Sequence, residues 1–471
     1  MCLAKDVAET LVSWVSPYLL GSNGRKVDSI QGNGTYNKIF ALAFTDGTEV
    51  LARVKYEKTE ATIAVMESEI ATVAFLRKHR PKIPVPEILY WDTNCKTPAG
   101  APFMLMTRLP GFNAANDPVY GHVKRLQSAA AGDPRTTTLL RNVTKLVAEL
   151  VRPLPVGDEG LPALKIGQLS LAKDDSKYVQ GTCNPETPIE IGPVVSTFFD
   201  PHESVRRHDA GPYDSIWSFL QALRERSERE LYFSTIPTAR QNPSRRTDGK
   251  YVVSNSAIDD TVADLTNIAA ILSPEGRKRV LPLHPKHEEL CLWHTDLGLW
   301  NILIDPDTLD ITGVLDWEGA MILPLVFAAE TSFSLNPWPH LTPAPPSPAQ
   351  TPRMHRRAQG SANVARTPEI DKPDAHINSL NSEFYALVKD VDRARLPEGT
   401  QYTEEDINEI ELTWMRRRWR SMLAEEDPRF GSKIWEEHKR FLGIWTCLRQ
   451  HPWFLKRHRE WLRGLAEEAM G

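Results

Sequence analysis

The sequence predicts an α+β protein with a small N-terminal antiparallel sheet and one helix, followed by a large, mostly helical C-terminal part. Three observations predict it. Two strand-like runs flank a turn within residues 38–54, a helical face spans about residues 60–79, and the stretch from about residue 112 to 290 reads mainly as helix and loop. The 471 residues leave room for a large core, and a balance of 41% hydrophobic to 25% charged residues suits a soluble globular chain.

The elements follow in order. Lys38-Ile39-Phe40-Ala41-Leu42-Ala43-Phe44 is strand-like, Thr45-Asp46-Gly47-Thr48 is a hairpin turn, and Val50-Leu51-Ala52-Arg53-Val54 is the partner strand. From Glu60 to about His79, Ile63, Met66, Ile70, Val73 and Ala74 fall at steps of three and four, the face of a helix that Pro81, Pro84 and Pro86 end. Phe103-Met104-Leu105-Met106 is a short buried strand. Leu109-Pro110-Gly111 then turns the chain away from the sheet, closing a first unit over residues 1–111. A second unit, 112–336, has its clearest helices at Leu139 to Leu150 and Ile216 to Leu231, the latter capped by Asp214-Ser215 after the turn Ala210-Gly211-Pro212. Residues 337–375 are rich in Pro, Ser and Arg, have few apolar residues to pack, and read as a disordered insertion. Residues 376–471 return to amphipathic helices carrying Trp414, Trp419, Trp435, Trp445, Trp453 and Trp461, whose spacing fits core positions better than a ligand cage.

A net charge of −5 offers no electrostatic case for nucleic acid. Arg416-Arg417-Arg418 reads as a solvated helix face. The five cysteines are scattered without a C-x-x-C pair, which favours a reducing, cytoplasmic compartment over a disulfide framework or a zinc site. Lys5, Asp6 and Glu9 break any signal-peptide core, and the apolar run Met321 to Ala329 is too short to span a bilayer, so no membrane partner is expected.

The most informative stretch is His294-Thr295-Asp296-Leu297-Gly298-Leu299-Trp300-Asn301, with Leu315-Asp316-Trp317-Glu318 beyond it. An aspartate in a loop can accept the proton of an attacking hydroxyl. An asparagine five residues on and a separate aspartate can hold Mg²⁺ against the phosphates of ATP. Asn301 opens the run Ile302-Leu303-Ile304, Asp305-Pro306-Asp307 is a turn, and Ile311 to Leu315 reads as a returning strand. In such a hairpin Asn301 enters and Asp316 leaves at the same open end. The bland alternative is a surface hairpin with polar ends and His294 as a hydrogen-bonded loop histidine. A more distant one is a metal hydrolase using His294 and Asp296, with His284 and His287 upstream.

Nearer the N-terminus, Gln31-Gly32-Asn33-Gly34-Thr35-Tyr36-Asn37 precedes a strand, and glycines there let backbone N–H groups approach phosphate oxygens; the same residues also suit an ordinary turn. Arg53 projects a charge from an otherwise apolar strand, where a guanidinium can fork onto phosphates and pair with a helix carboxylate, or else face solvent. The helix offers Glu67 and Glu69 as partners, and periodicity does not choose between them.

On Gly34 to Phe40, Arg53, Glu69-Ile70-Ala71-Thr72-Val73 running to Pro84-Val85-Pro86, Phe103 to Gly111, His294 to Asn301 and Leu315 to Glu318, the chain resembles the aminoglycoside phosphotransferase family. That family has the protein-kinase-like fold shared with choline kinases. Ile191-Gly192-Pro193 and Ala210-Gly211-Pro212 resemble its fungal-type branch. The resemblance implies a bilobal protein-kinase-like fold, with ATP and Mg²⁺ as cofactors and a small-molecule hydroxyl compound as acceptor. It makes Asp296 the base, and Asn301 and Asp316 the Mg²⁺ ligands. Gly34, Thr35, Asn37 and Arg53 then lie toward the phosphates, Glu69 rather than Glu67 pairs with the cation, and the backbone from Thr107 to Leu109 receives adenine. Three departures stand out: Arg53 replaces the usual lysine, Gly298 replaces a common basic or histidine side chain, and no Gly-Asp-Pro follows Asp316. The last weakens aminoglycosides as acceptors. The alternative function is a nucleotide-binding pseudokinase acting as an interaction module.

Overall fold

The structure is a computed structural model. It describes residues 26–33, 37–43, 49–56, 59–93, 100–116, 134–157, 160–161, 163–172, 180–181, 188–195, 210–234, 255–328, 418–449 and 456–471. Gly34, Thr35, the turn at 45–48, the insertion at 337–375, Trp414 and Trp453 lie outside the described residues.

Strands β1 (Lys26–Asn33), β2 (Asn37–Ala43) and β3 (Glu49–Lys55) lead into helix α1 (Glu60–His79), and β4 (Ile88–Asp92) and β5 (Phe103–Thr107) follow. They form an antiparallel sheet in the order β1-β2-β3-β5-β4, extended at the β4 edge by β8 (Gln180–Gly181). The later part of the chain thus returns a short strand to the first sheet. Thr59 starts α1 by accepting the Thr62 N–H on its hydroxyl at 3.1 Å, one of the orphan donors of the first turn. The helix buries Met66, Ile70, Phe75 and Leu76 in a core shared with Met104 and Met106 of β5. Each such side chain contributes roughly 1.5–3 kcal/mol on burial. The sequence reading missed β1, whose KVDSIQGN carries no apolar alternation and is a strand only through its pairing with β2.

A short β6 (Phe112–Asn113) leaves the linker and joins a different sheet, ordered β12-β11-β6, where β11 is Ile302–Ile304 and β12 is Ile311–Val314. Gly111 makes that exit possible. Its φ is +96°, and an added Cβ would lie 2.2 Å from Thr312 Oγ1 and 2.7 Å from the Ile304 carbonyl oxygen. Around this hairpin stand α2 (Pro134–Leu150), the pair β7 (Gln168–Leu171) and β9 (Ile189–Gly192), and the pair β10 (Leu290–Trp293) and β13 (Met321–Pro324). The large lobe is completed by α3 (Ile216–Ser234), α4 (Asn255–Leu272), α5 (Pro274–Val280), α6 (Pro285–Glu288) and α7 (Leu325–Ala328). A helix over residues 418–426, then α8 (Ser432–Arg449) and α9 (Lys456–Met470), follow.

Trp419 and Trp435 are buried, and Trp445 meets Phe219 and Phe327 edge-on at 5.4 and 4.6 Å, so these tryptophans serve the core. Cys291 and Cys447 are free, and burial pushes both thiols up to about 12, which leaves them unreactive. Among the described residues no helix is long and apolar enough to cross a membrane. The fold class is α+β and bilobal, as expected.

Candidate active site

The hairpin of β11 and β12 organises one end of the site. Ile302 pairs with Val314, and the Leu315 N–H donates to the Asn301 carbonyl at 2.8 Å, so Asn301 and Asp316 stand at the same open end. Asp316 adopts a left-handed φ of 61°, a conformation an aspartate tolerates better than most residues and one that turns the chain out of the strand. The 294–301 loop is tied to this end by His294. Its Nε2 meets the Leu315 carbonyl at 2.9 Å and its Nδ1 accepts the Asp296 N–H at 3.2 Å, a pair of bonds that only the neutral Nε2–H tautomer satisfies. Burial also draws the His294 pKa below its ordinary value. With both ring nitrogens spent on backbone, His294 is not a metal ligand. His287 is instead bound to Glu437 on α8 at 2.7 Å, and the His284 N–H donates to the same carboxylate. The hydrolase alternative is therefore withdrawn.

Asp296 is exposed, and two uncharged donors hold its Oδ2: Trp300 Nε1 and Asn301 Nδ2, each at 3.2 Å. Asn301 Nδ2 also reaches the Asp296 carbonyl at 2.9 Å. The amide nitrogen is thus consumed within the loop, and Asn301 Oδ1 is left without a protein donor among the described residues. Gly298 has a local reason in this chain. A Cβ there would lie 2.2 Å from the Trp300 indole, which lies over it.

On the side of the N-terminal sheet the arrangement is ionic. Arg53 is buried, not on a solvent face; its Nη1 pairs with Glu69 of α1, and its Nη2 lies 2.5 Å from Asp316 Oδ1 and 2.9 Å from Glu318 Oε2. Burial alone would lower the guanidinium pKa, but Glu69, Asp316 and Glu318 together hold it above its ordinary value. Burial pushes the Glu69 carboxyl up to about 6, and the opposite pull of Arg53 and Lys55 only partly offsets it. Lys55 Nζ sits 2.7 Å from Glu318 Oε2, and Asn37 Nδ2 approaches the same oxygen at 3.5 Å. Two cations face three carboxylates here, so the cluster carries an excess of negative charge. Sequence reasoning missed Lys55 and Glu318. The available signal was alternation, since Lys55 shares a strand face with Arg53 and Glu318 lies two residues beyond Asp316.

The linker between the lobes spans Thr107 to Leu109. The Thr107 N–H is taken by the Glu87 carbonyl at 2.9 Å, and its hydroxyl accepts the Glu87 N–H, so its own amide is committed. Leu109 is half-buried, packed over Gly313 of β12, while Thr312 Oγ1 donates to the Pro110 carbonyl at 2.7 Å. The linker therefore rests on the hairpin that carries Asp316.

A small sheet with one helix tied to it by an ion pair, a linker, and a large lobe presenting the 294–301 loop and a polar hairpin end are consistent with a protein-kinase-like fold. Residues 199–327 match the family model described as Phosphotransferase enzyme family, a span that contains Asp296, Asn301 and Asp316. Over these residues the match supports the family resemblance read in the sequence. Two curated relatives, both subtelomeric hrmA-associated cluster proteins of Aspergillus fumigatus, are 27% identical over 326 residues, covering 62% of this chain and 57% of theirs. The chain thus spans little more than half the length of the curated relatives it matches. Among solved structures it is similar to a macrolide 2′-phosphotransferase from Brachybacterium faecium, at 13% identity and a TM-score of 0.32 over 70% of this chain and 78% of that one. An aminoglycoside phosphotransferase from Streptomyces rimosus gives 15% identity and a TM-score of 0.31 over 69% and 80%.

Proposed function

We propose that this chain transfers the γ-phosphate of ATP to a hydroxyl of a small molecule, with Mg²⁺ as the metal. The observation that carries this reading is that Asn301, which holds Asp296, and Asp316, which meets the Glu69-paired Arg53, stand at one hairpin end. The donor set fits a hard cation. Asn301 Oδ1 lacks a protein donor among the described residues, Asp316 is partly exposed, and the adjacent cluster carries excess negative charge.

Asp296 would orient the acceptor hydroxyl and take its proton as the oxygen bonds to the γ-phosphorus and the bond to the β,γ-bridging oxygen breaks. Trp300 and Asn301 hold the carboxylate in place for that transfer. Arg53, oriented by Glu69, would neutralise phosphate charge. Bound Mg²⁺ would supply further charge neutralisation between the phosphates. Adenine would lie against the linker near Leu109 rather than on the committed Thr107 amide. Asn37 and, by the resemblance, Gly34 and Thr35 would lie toward the phosphates.

Thermal unfolding with ATP, with and without Mg²⁺, tests the nucleotide half. A ligand at about a hundred times its Kd stabilises by about 2.7 kcal/mol. A Mg²⁺-dependent rise in Tm that disappears in Asp316→Ala is the expected result, and no rise in either condition would refute the reading. A second reading, nucleotide binding without transfer, draws on the Arg53–Asp316 contact, because that contact occupies a metal-ligand carboxylate. Release of ADP on adding candidate alcohols separates the two.

A further inference from the structure

We propose that Lys55 is a second phosphate-binding cation of this pocket, held by Glu318 in the absence of nucleotide and released to the nucleotide's phosphates when they enter. The proposal rests on the nucleotide-binding reading above and names a residue that the family resemblance does not supply. Four observations support it.

Residues 53 and 55 are two apart on β3, so both side chains rise from the same face of the strand, the face that meets Glu318. Lys55 is nearly as inaccessible as any core residue, its side chain 2% exposed. Burying an ammonium costs several kcal/mol unless it is well paired, and an ammonium has three donors to satisfy. Glu318 Oε2 is the one acceptor Lys55 has among the described residues, and Arg53 and Asn37 share that oxygen. Among the described residues three donors crowd one carboxylate oxygen while two N–H donors of Lys55 find no acceptor. A purely structural ion pair has no reason to be built this way.

The neighbouring atoms show the same incompleteness. Asn37 stands directly opposite Lys55 in the β2–β3 register, and among the described residues its buried Oδ1 has no partner, nor has Glu69 Oε2. Unmet buried polar atoms are costly and rare in finished cores. Two of them stand here, one on β2 and one on α1, beside the Arg53 and Lys55 cations. A polyphosphate offers many oxygens within a few ångströms, enough to occupy Arg53 and Lys55 together. Glu318 is well placed to give way. It sits two residues beyond the left-handed Asp316, on the same loop whose aspartate is also engaged by Arg53. Entry of phosphates would therefore exchange one set of anionic partners for another on both cations at once, and it would free Asp316 as well.

The test uses the full chain and calorimetric titration with adenosine, ADP and ATP, each with and without Mg²⁺, for the natural sequence, Lys55→Met, Lys55→Arg and Glu318→Gln. Lys55→Met is expected to weaken ATP and ADP about tenfold or more while leaving adenosine unchanged, and Lys55→Arg to recover most of the loss. Glu318→Gln, which removes the competing carboxylate, is expected to tighten ATP binding without Mg²⁺. Thermal melting of each variant reports folding, and Lys55→Arg keeps the comparison interpretable where Lys55→Met melts early. If Lys55→Met weakens adenosine and ATP alike, or leaves ATP untouched, Lys55 is a structural ion-pair residue and the proposal fails alone. If the natural chain binds adenosine, ADP and ATP not at all, the nucleotide reading fails and takes the proposal with it.

Discussion

Arg53 and Asp296 mark the two ends of the site and are held in contrasting ways. Arg53 is buried and fixed by three carboxylates from α1 and the loop after β12, whereas Asp296 is exposed and positioned by an indole N–H and an amide. The first end stores its charge out of water, where each unbalanced group is costly and partner identity matters greatly. The second end keeps its carboxylate in water and spends only neutral hydrogen bonds on its orientation. Changes at the buried end should therefore register in stability and in nucleotide binding. Changes at the exposed end should register in the rate of transfer.

The largest effect should break this comparison open at the exposed end. Asp296→Asn keeps an acceptor for Trp300 and Asn301 but cannot take a proton, so transfer should slow by about 10²–10⁴-fold. Its stability should stay within about 0.5 kcal/mol of the natural chain, as for an exposed substitution. Steady-state kinetics beside urea denaturation would check both halves, and a large loss of stability would contradict the assignment of roles. At the buried end, Glu69→Ala should cost about 2–3 kcal/mol in urea denaturation. That is below the full penalty for stranding a buried charge, because Arg53 keeps Asp316 and Glu318.

A pH titration sharpens the contrast with a buried group that belongs to neither end. His438 is buried, its Nδ1 lies 2.5 Å from the Val326 carbonyl, and burial lowers its pKa to about 4 from an ordinary 6.5. The unfolded chain takes up a proton through pH 6.5, while the folded one resists until about pH 4. This group's contribution is therefore present above pH 6.5 and falls as pH drops toward 4, by roughly 2 kcal/mol between pH 7 and pH 5. Glu69, raised to about 6, acts with the opposite sign over its own window, so the informative quantity is the difference between the natural chain and His438→Gln. The smallest expected effect is Trp300→Phe, which keeps a ring over Gly298 but removes the indole donor to Asp296. One neutral hydrogen bond is worth about 0.5–1.5 kcal/mol, so kcat should fall by no more than about tenfold with stability nearly unchanged.

Much of this contrast is legible along the chain, but unevenly. The span Glu60–His79 is readable because Met66, Ile70, Val73 and Ala74 repeat at helical spacing, and the structure places the helix over the same residues. Helix α4 had no comparable reading, and the extent of α2 was underestimated: it starts at Pro134 rather than Leu139. The hairpin that brings Asn301 beside Asp316 is readable because its pattern is local, two short apolar runs around Asp305-Pro306-Asp307. The choice between Glu67 and Glu69 is not, because both lie at the border of the apolar face. The family resemblance favoured Glu69, and the arrival of Arg53 gives the physical reason, pairing with Glu69 and burying it.

The sequence by itself determined what depends on neighbours within a few residues: the α+β order, the strand alternation that puts Arg53 and Lys55 on one face, and the spacing of Asp296, Asn301 and Asp316. Hydrophobic period and turn chemistry act at that range, and one chain displays them directly. The tertiary structure alone decided which charges meet. Glu318 reaches Arg53 and Lys55 from more than 260 residues away, and His294 spends its ring on Leu315 rather than on a metal. Coulomb attraction and the cost of burying an unpaired charge depend on distance through space. No pattern along the chain encodes that distance until the lobes have closed on one another.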